Sequence, residues 1–286
     1  MKLVKEGVSA VISSHTVPQP IPPRMAFGVD PSRRERFSLR QGRYDAIGEE
    51  LAQRGRVALQ AGRRLKVLDI GAGQGLTLRY LEGRDGAAGI ELSGVDIVRY
   101  DTLYRPSEWK DFWVSNLMQG LPPVPSETYD IVICEQIFEH LSELELGMAT
   151  INRVLRPGGI AIVGVPIFPS GVNKIRELIV PWIDGAKPPK TPRGHVQSFS
   201  KRSFLKLFQQ HSGLTIEKCF GFRIVSGGLL RQLENHEWWY RLNRSVGRIV
   251  PSLCTEIQII ARKPVVNMVL PTLSTLNHNP ATVVRV

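Results

Sequence analysis

Along the middle of the chain, apolar positions follow two rhythms in turn. Short runs that are apolar almost throughout, such as "KVLDIG", "YDIVICE" and "IAIVGVP", end at Gly, Pro or an acid. That is the pattern of strands buried on both faces of a parallel sheet. Seven strands are predicted, in "RRLKVLDIG", "IELSGVDI", "DFWVSNL", "YDIVICE", "IAIVGVP", "LTIEKCFGF" and "TEIQIIARK". Helical spacing appears between them. Ile47, Leu51, Val57 and Leu59 predict a helix from about Arg43 to Gln60. "GLTLRYLEG" reads as a short helix closed by Gly83. Leu144, Met148, Ile151 and Leu155 mark a helix in "SELELGMATINRVLR" that stops at "PGG", and Phe204, Leu207 and Phe208 another in "KRSFLKLFQQHSG". A last helical stretch runs from about Leu229 to Val250. Strand and helix alternating in this way argue for an open, doubly wound α/β sheet.

Composition adds limits. With 286 residues and 42% hydrophobic, the chain can form one large α/β domain with embellishments or two small domains. No apolar run approaches the roughly 18 residues that span a bilayer. Residues 1–42, proline-rich from 16 to 32, are expected to form a flexible arm with no signal peptide. Residues 43–263 make the domain, with elaborations at about 167–200 and 222–253, and 264–286 read as a disordered tail. Cys134, Cys219 and Cys254 have no metal-ligand spacing and read as thiols of a reducing, cytoplasmic compartment; no metal is expected.

The net charge of +11 is unevenly spread. Residues 67–173 carry 7 Lys/Arg against 14 Asp/Glu, while 24–66 carry 11 against 5 and 174–286 carry 17 against 6. One reading is basic surface decoration; the other places a cationic ligand in the middle and an anionic substrate or surface at the flanks.

The acidic segment holds "VLDIGAGQG", a strand running into a glycine turn. A dinucleotide turn wants G-x-G-x-x-G. Gly71 and Gly73 fit, but position 76 is Leu and the third glycine comes early, at Gly75. Asp69, two residues before Gly71, would bring negative charge into a phosphate site, whereas it suits a ligand with ammonium and sulfonium charges. Asp96, ending the second strand, is placed to accept from both hydroxyls of a ribose. Asn116, after the third strand, is placed either to meet an adenine edge or to cap a turn.

These stretches, with "GVDI", "YDIVICEQIFEHL" and "LRPGGIAIVGVP" in that order, resemble class I S-adenosylmethionine-dependent methyltransferases of the ubiquinone and menaquinone methyltransferase-like group. "GHVQSFSKRSFLKLFQQHSGL" resembles a segment these enzymes often carry before their sixth strand, and the resemblance covers roughly residues 43–263. It implies a Rossmann-like seven-stranded sheet, mostly parallel with an antiparallel last strand, and S-adenosylmethionine as cofactor. It implies that Asp69, Gly71 and Gly73 line the methionine part and Asp96 the ribose, with Ala72 and Gly75 also among the cofactor-binding residues. Ile97, Asn116 and Leu117 would surround the adenine, with Glu135 and Gln136 near the sulfonium. Asn116 stands where the family often has Asp, and the usual helix between strands two and three is cut down to "VRYDTLYRPSEWK".

Methyl transfer from a sulfonium needs an in-line nucleophile, exclusion of water and sometimes a base. His140 and His195 are the candidate bases, while His236 beside Trp238 and Trp239 reads as part of a packed lid. "ICEQIFEHL" replaces the element used for amino methylation of DNA bases, and a Pro-Cys nucleophile is missing, so DNA-base methylation is not expected; the lack of a recognisable RNA-binding module counts against nucleic acid as a partner. O-methylation of a small, lipid-linked or glycan-linked acceptor is the preferred expectation. A binding module without catalysis, or a methyltransferase acting on RNA or protein, is the alternative. "ENHEWWYRLNRSVGRIV", with Arg241, Arg244 and Arg248, reads either as a helix buried on the sheet or as a face for an anionic membrane surface.

Overall fold

The computed structural model describes residues 37–167, 196–224 and 228–265. Helix α1 (Gly42–Gln60) leads into β1 (Leu65–Ile70), α2 (Leu76–Leu81), β2 (Ile90–Asp96) and β3 (Phe112–Val114). Then follow β4 (Tyr129–Glu135), α3 (Leu144–Val154), β5 (Leu155–Pro166) and α4 (Lys201–Ser212). Strand β6 (Thr215–Phe222), α5 (Glu237–Ile249) and β7 (Glu256–Arg262) complete the domain. The strands form one sheet in the order β3-β2-β1-β4-β5-β7-β6. All neighbours from β3 to β5 are parallel, and β7 runs antiparallel to both β5 and β6. The predicted architecture is therefore the one formed.

Strands buried on both faces explain the continuous apolar runs. Val67, Ile131, Ile133, Ile160 and Ile162 pack with Ile47, Leu51 and Leu81 of α1 and α2 on one face. Leu68, Ile70, Val132, Cys134 and Val163 pack with Met148, Ile151, Phe204 and Phe208 of α3 and α4 on the other. Parallel strands bring their carboxyl ends to one edge, and β1, β2 and β4 deliver the glycine turn, Asp96 and Glu135 there.

Several boundaries differ from the expected ones. Residues 37–41 are not a free arm: Phe37 N–H donates to Glu234 O at 2.7 Å, Leu39 N–H donates to Glu234 Oε2 at 3.0 Å, and Ser38, Leu39 and Gln41 are buried. On α1, Val57 and Leu59 are exposed, because the buried stripe runs through Ile47, Gly48, Leu51, Ala52, Gly55 and Ala58. Leu155 and the "PGG" after it belong to β5, where Leu155 pairs with Tyr129 before a register shift. Strand three ends at Val114 because the Asn116 side chain accepts from Met118 N–H and starts a 3₁₀ turn, Leu117–Gln119. The stretch predicted from Leu229 to Val250 is two pieces, a 3₁₀ segment Gly228–Asn235 and α5, joined at extended His236. No helix among the described residues is long and apolar enough to cross a membrane.

Candidate active site

The turn after β1 takes backbone shapes that require glycine. Gly71 sits at φ +76°, and a Cβ on it would collide with the Ile137 side chain. Gly75, at φ +82°, begins α2 and is packed against Leu103, Tyr104 and Trp109. Left-handed backbone of this kind costs a residue with a side chain roughly 1–2 kcal/mol. The truncated segment between β2 and β3 is what braces the turn. Tyr104 N–H donates to Gln74 O at 2.9 Å, and Trp109 Nε1–H donates to Tyr104 O at 3.0 Å. The sequence pattern showed only the missing helix and not this support.

A recess of about 330 Å³ opens beside the turn, lined by Gly71, Asp96, Ile97, Asn116, Leu117 and His140 among others. Larger grooves of about 600 and 410 Å³ elsewhere on the surface hold none of the predicted site residues. Asp96 organises the recess. Gly73 N–H donates to its Oδ2 at 2.8 Å and Ile97 N–H to its Oδ1 at 2.7 Å. An ionised carboxylate offers about four lone-pair sites, so Asp96 can hold the turn and still accept from a ligand hydroxyl. Asn116 spends its Oδ1 on Met118 N–H, leaving its amide N–H₂ as the group that can reach a ligand.

Next to the recess lies a cluster of buried charge. Glu135 Oε1 meets Arg43 Nε at 3.0 Å, and Gln258 Nε2–H donates to Glu135 Oε2 at 2.8 Å. Arg43 Nη1 also meets Glu256 Oε2 at 3.3 Å, and Arg223 Nη2 meets Glu256 Oε1 at 3.1 Å. Burial pushes the Glu135 carboxyl up to about 7, against the pull of Arg43. Asp69 is also raised to about 7, first by burial, with the Thr77 hydroxyl opposing and the charges of Asp96 and Glu135 adding to the rise. Glu139 reaches about 7 mainly through burial, and its Oε2 is buried without a hydrogen-bond partner. Arg43 is raised: burial opposes its charge, but Glu256 and Glu135 outweigh it. Tyr44 is raised by burial as well, with its ring under the Arg43 guanidinium at 5.2 Å.

A family model described as a methyltransferase domain matches residues 32–218. The chain belongs to that family. Its sheet order makes it a class I methyltransferase. A ubiquinone biosynthesis O-methyltransferase of Rickettsia canadensis is 22% identical over 184 residues, 61% of this chain and 70% of the relative. Another of the same name, from Rhizobium johnstonii, is 35% identical over 101 residues, 35% of this chain and 40% of the relative. Among solved structures, the fold is like that of a 1,6-didemethyltoxoflavin-N1-methyltransferase from Burkholderia thailandensis, at TM-score 0.48 and 15% identity, covering 78% of this chain and 79% of that one. It is also like a SAM-dependent methyltransferase from Archaeoglobus fulgidus, at TM-score 0.44 and 19% identity, covering 76% and 94%.

Class I methyltransferases use S-adenosylmethionine as methyl donor, and the residues of this methyltransferase fit it. The recess offers the Asp96 carboxylate, apolar Ile97 and Leu117, and an amide from Asn116. Gln136, at φ +58°, has its Nε2 buried without a partner. Strained backbone and an orphaned donor thus stand together directly after β4.

Apart from Gln136 and His195, the predicted residues fall into three groups. Gly71, Asp96, Ile97, Asn116, Leu117 and His140 line the recess. Ala72, Gly73 and Gly75 shape the turn around it. Asp69 is buried behind the turn, and Glu135 is engaged by Arg43 and Gln258 rather than facing the recess. His195, with residues 168–195 of the predicted elaboration, lies outside the described residues, as do 1–36, 225–227 and 266–286. His140 is half-exposed, its Nε2 4.0 Å from Glu139 Oε1. Arg43 and Tyr44 had not been singled out. The available signal was a large cation and a phenol at the amino end of a predicted helix, directly before the acidic segment.

Proposed function

We propose that this methyltransferase binds S-adenosylmethionine in the recess between the glycine turn and Asn116 and O-methylates a small, lipid-linked or glycan-linked acceptor. The observation that carries this reading is Asp96, a carboxylate fixed by two backbone N–H groups at the carboxyl end of β2. The bound cofactor supplies an electrophilic methyl group on a sulfonium. The protein's part is to position, exclude water and manage a proton.

Asp69, Glu135 and Glu139 stand one or two positions from Ile70, Ile137 and His140 of the recess lining, with carboxyls raised to about 7. A cation brought beside them favours their ionised forms, so cofactor binding releases protons. Glu139, with one oxygen unpartnered, and His140 beside it are the groups to accept the proton of an acceptor hydroxyl. Arg43 keeps Glu135 from adding an uncompensated charge. The oxygen acceptor is supported by the two O-methyltransferase relatives.

Turnover is tested with methyl-labelled S-adenosylmethionine and a panel of phenols, hydroxylated amphiphiles and glycans. Label in an ether product, reduced tenfold or more by Glu139→Gln, is expected, as general-base catalysis contributes roughly 10²–10⁴. Label appearing only on nitrogen or carbon would remove the O-methylation reading.

A further inference from the structure

Helix α5 buries one face and carries large apolar side chains on the opposite one. Tyr240, Asn243 and Gly247 are buried, with Tyr240 Oη–H donating to Asp45 Oδ2 of α1 at 2.7 Å and Gly247 against Gly221 of β6. On the outward side stand Trp238, Leu242 and Ile249, 55%, 44% and 79% exposed. At about 100° per residue these three fall within roughly 40° of one another, facing away from the buried stripe. Val250 and Leu253 extend the exposed apolar surface beyond the helix end. Solvent-facing helix stripes in globular proteins are polar, and contiguous exposed apolar side chains mark an interaction surface.

The chemistry around the stripe narrows the partner. Exposed Arg241 and Arg248 run along one edge, two turns apart, with Arg241 also paired to exposed Glu237 one turn back at 2.6 Å. Arg244, farther round, is held inward by Glu49 at 2.8 Å and the Gly42 carbonyl at 3.1 Å. The segment that contains α5, residues 174–286, carries 17 Lys/Arg against 6 Asp/Glu. An aromatic anchor, aliphatic neighbours and a cationic margin complement the headgroup region of an anionic bilayer. A stable protein–protein interface takes about 20–30 residues a side, far more than this stripe and its arginines supply.

We propose that the outward face of α5 docks the protein on anionic phospholipid membranes. Trp238, Leu242 and Ile249 enter the boundary between headgroups and acyl chains, while Arg241 and Arg248 meet lipid phosphates. The docking is independent of which acceptor is methylated, and its test requires no turnover.

The full chain is sedimented with vesicles of about seven parts phosphatidylcholine to three of phosphatidylglycerol. Wild type is expected in the pellet, with partitioning at least about tenfold weaker on phosphatidylcholine alone or in about 0.5 M salt. The Trp238→Ser, Leu242→Ser, Ile249→Ser triple variant should remain in the supernatant. All three side chains point outward, so circular dichroism and cofactor titration should match wild type. Arg241→Gln and Arg248→Gln should each weaken partitioning about fivefold. Wild type that stays in the supernatant with both vesicle types overturns the proposal. So does a triple variant that sediments like wild type, which would shift binding to another basic segment. A concentration-dependent dimer that only the triple variant loses, with vesicle binding unchanged, makes this face a self-contact instead and equally overturns it.

Discussion

The recess beside the glycine turn and the charged cluster next to it share one end of the sheet but are built in opposite ways. The recess has apolar walls, one carboxylate and backbone N–H groups, drawn mostly from residues 70–141. The cluster joins Arg43 of α1, Glu135 of β4, Arg223 after β6, and Glu256 and Gln258 of β7. In the recess, strand ends leave polar groups that a ligand can use. In the cluster, buried charges consume one another, and beside it Glu139 keeps one buried oxygen without a hydrogen-bond partner. The contrast separates binding from reactivity: changes in the first should alter affinity, and changes in the second should alter stability and proton balance.

The largest expected effect lies in the cluster. Arg43→Met leaves Glu135 and Glu256 without their shared partner, and breaking a buried pair from one side costs about 3–5 kcal/mol. A drop of roughly 10 °C in the thermal midpoint follows at about 2–4 °C per kcal/mol. A midpoint within a degree or two of wild type would mean that Arg223 and solvent compensate the acids, and the two regions would differ less than described.

In the recess, Asp96→Ala removes the acceptor for Gly73 and Ile97 N–H, and with it the proposed acceptor for the ribose. Hydrogen bonds to charged groups contribute about 1.5–3 kcal/mol, or roughly tenfold to a hundredfold in cofactor affinity. The midpoint should move far less than for Arg43→Met. Gly71→Ala is next: strain at positive φ of roughly 1–2 kcal/mol, with Ile137 displaced toward the recess, should lower both stability and affinity. If only stability fell, Ile137 would have moved away from the ligand.

The smallest effect is a slope. Asp69, Glu135 and Glu139 bind protons in the folded state that the unfolded chain has already released between about pH 4 and 7. Their contribution to stability is therefore present below about pH 4 and is lost as pH rises through 7. Asp69→Asn should flatten the fall in unfolding free energy between pH 5 and 8 seen in denaturant melts. An unchanged slope would show that Asp69 is ionised throughout and faces compensation not seen in the fold.

The same division governs what could be read from the sequence. The recess was legible because its chemistry is local: three glycines, Asp96 and Asn116 stand at strand ends, and strand ends can be found from runs of apolar residues. The open choice at Asn116 is decided for its oxygen by the cap on Met118 N–H. The cluster was not legible. Arg43 meets Glu256 across 213 positions, and no spacing rule links a helix start to the last strand of a doubly wound sheet. Glu135 was expected near the sulfonium from its place at the end of β4, and no spacing showed the guanidinium that engages it. Helix α5 defeated pattern reading differently. Its charged side, Arg241, Arg244 and Arg248, shows in the sequence, but apolar residues flank it toward both sheet and solvent, and the pattern does not say which are buried.

Calorimetric titration of the full chain with S-adenosylmethionine, S-adenosylhomocysteine and NAD tests the central claim most directly. The account predicts that both methionine-derived ligands bind at one site, that Asp96→Ala weakens them tenfold to a hundredfold, and that NAD gives no heat. Binding of NAD with no affinity for either methionine-derived ligand would contradict it.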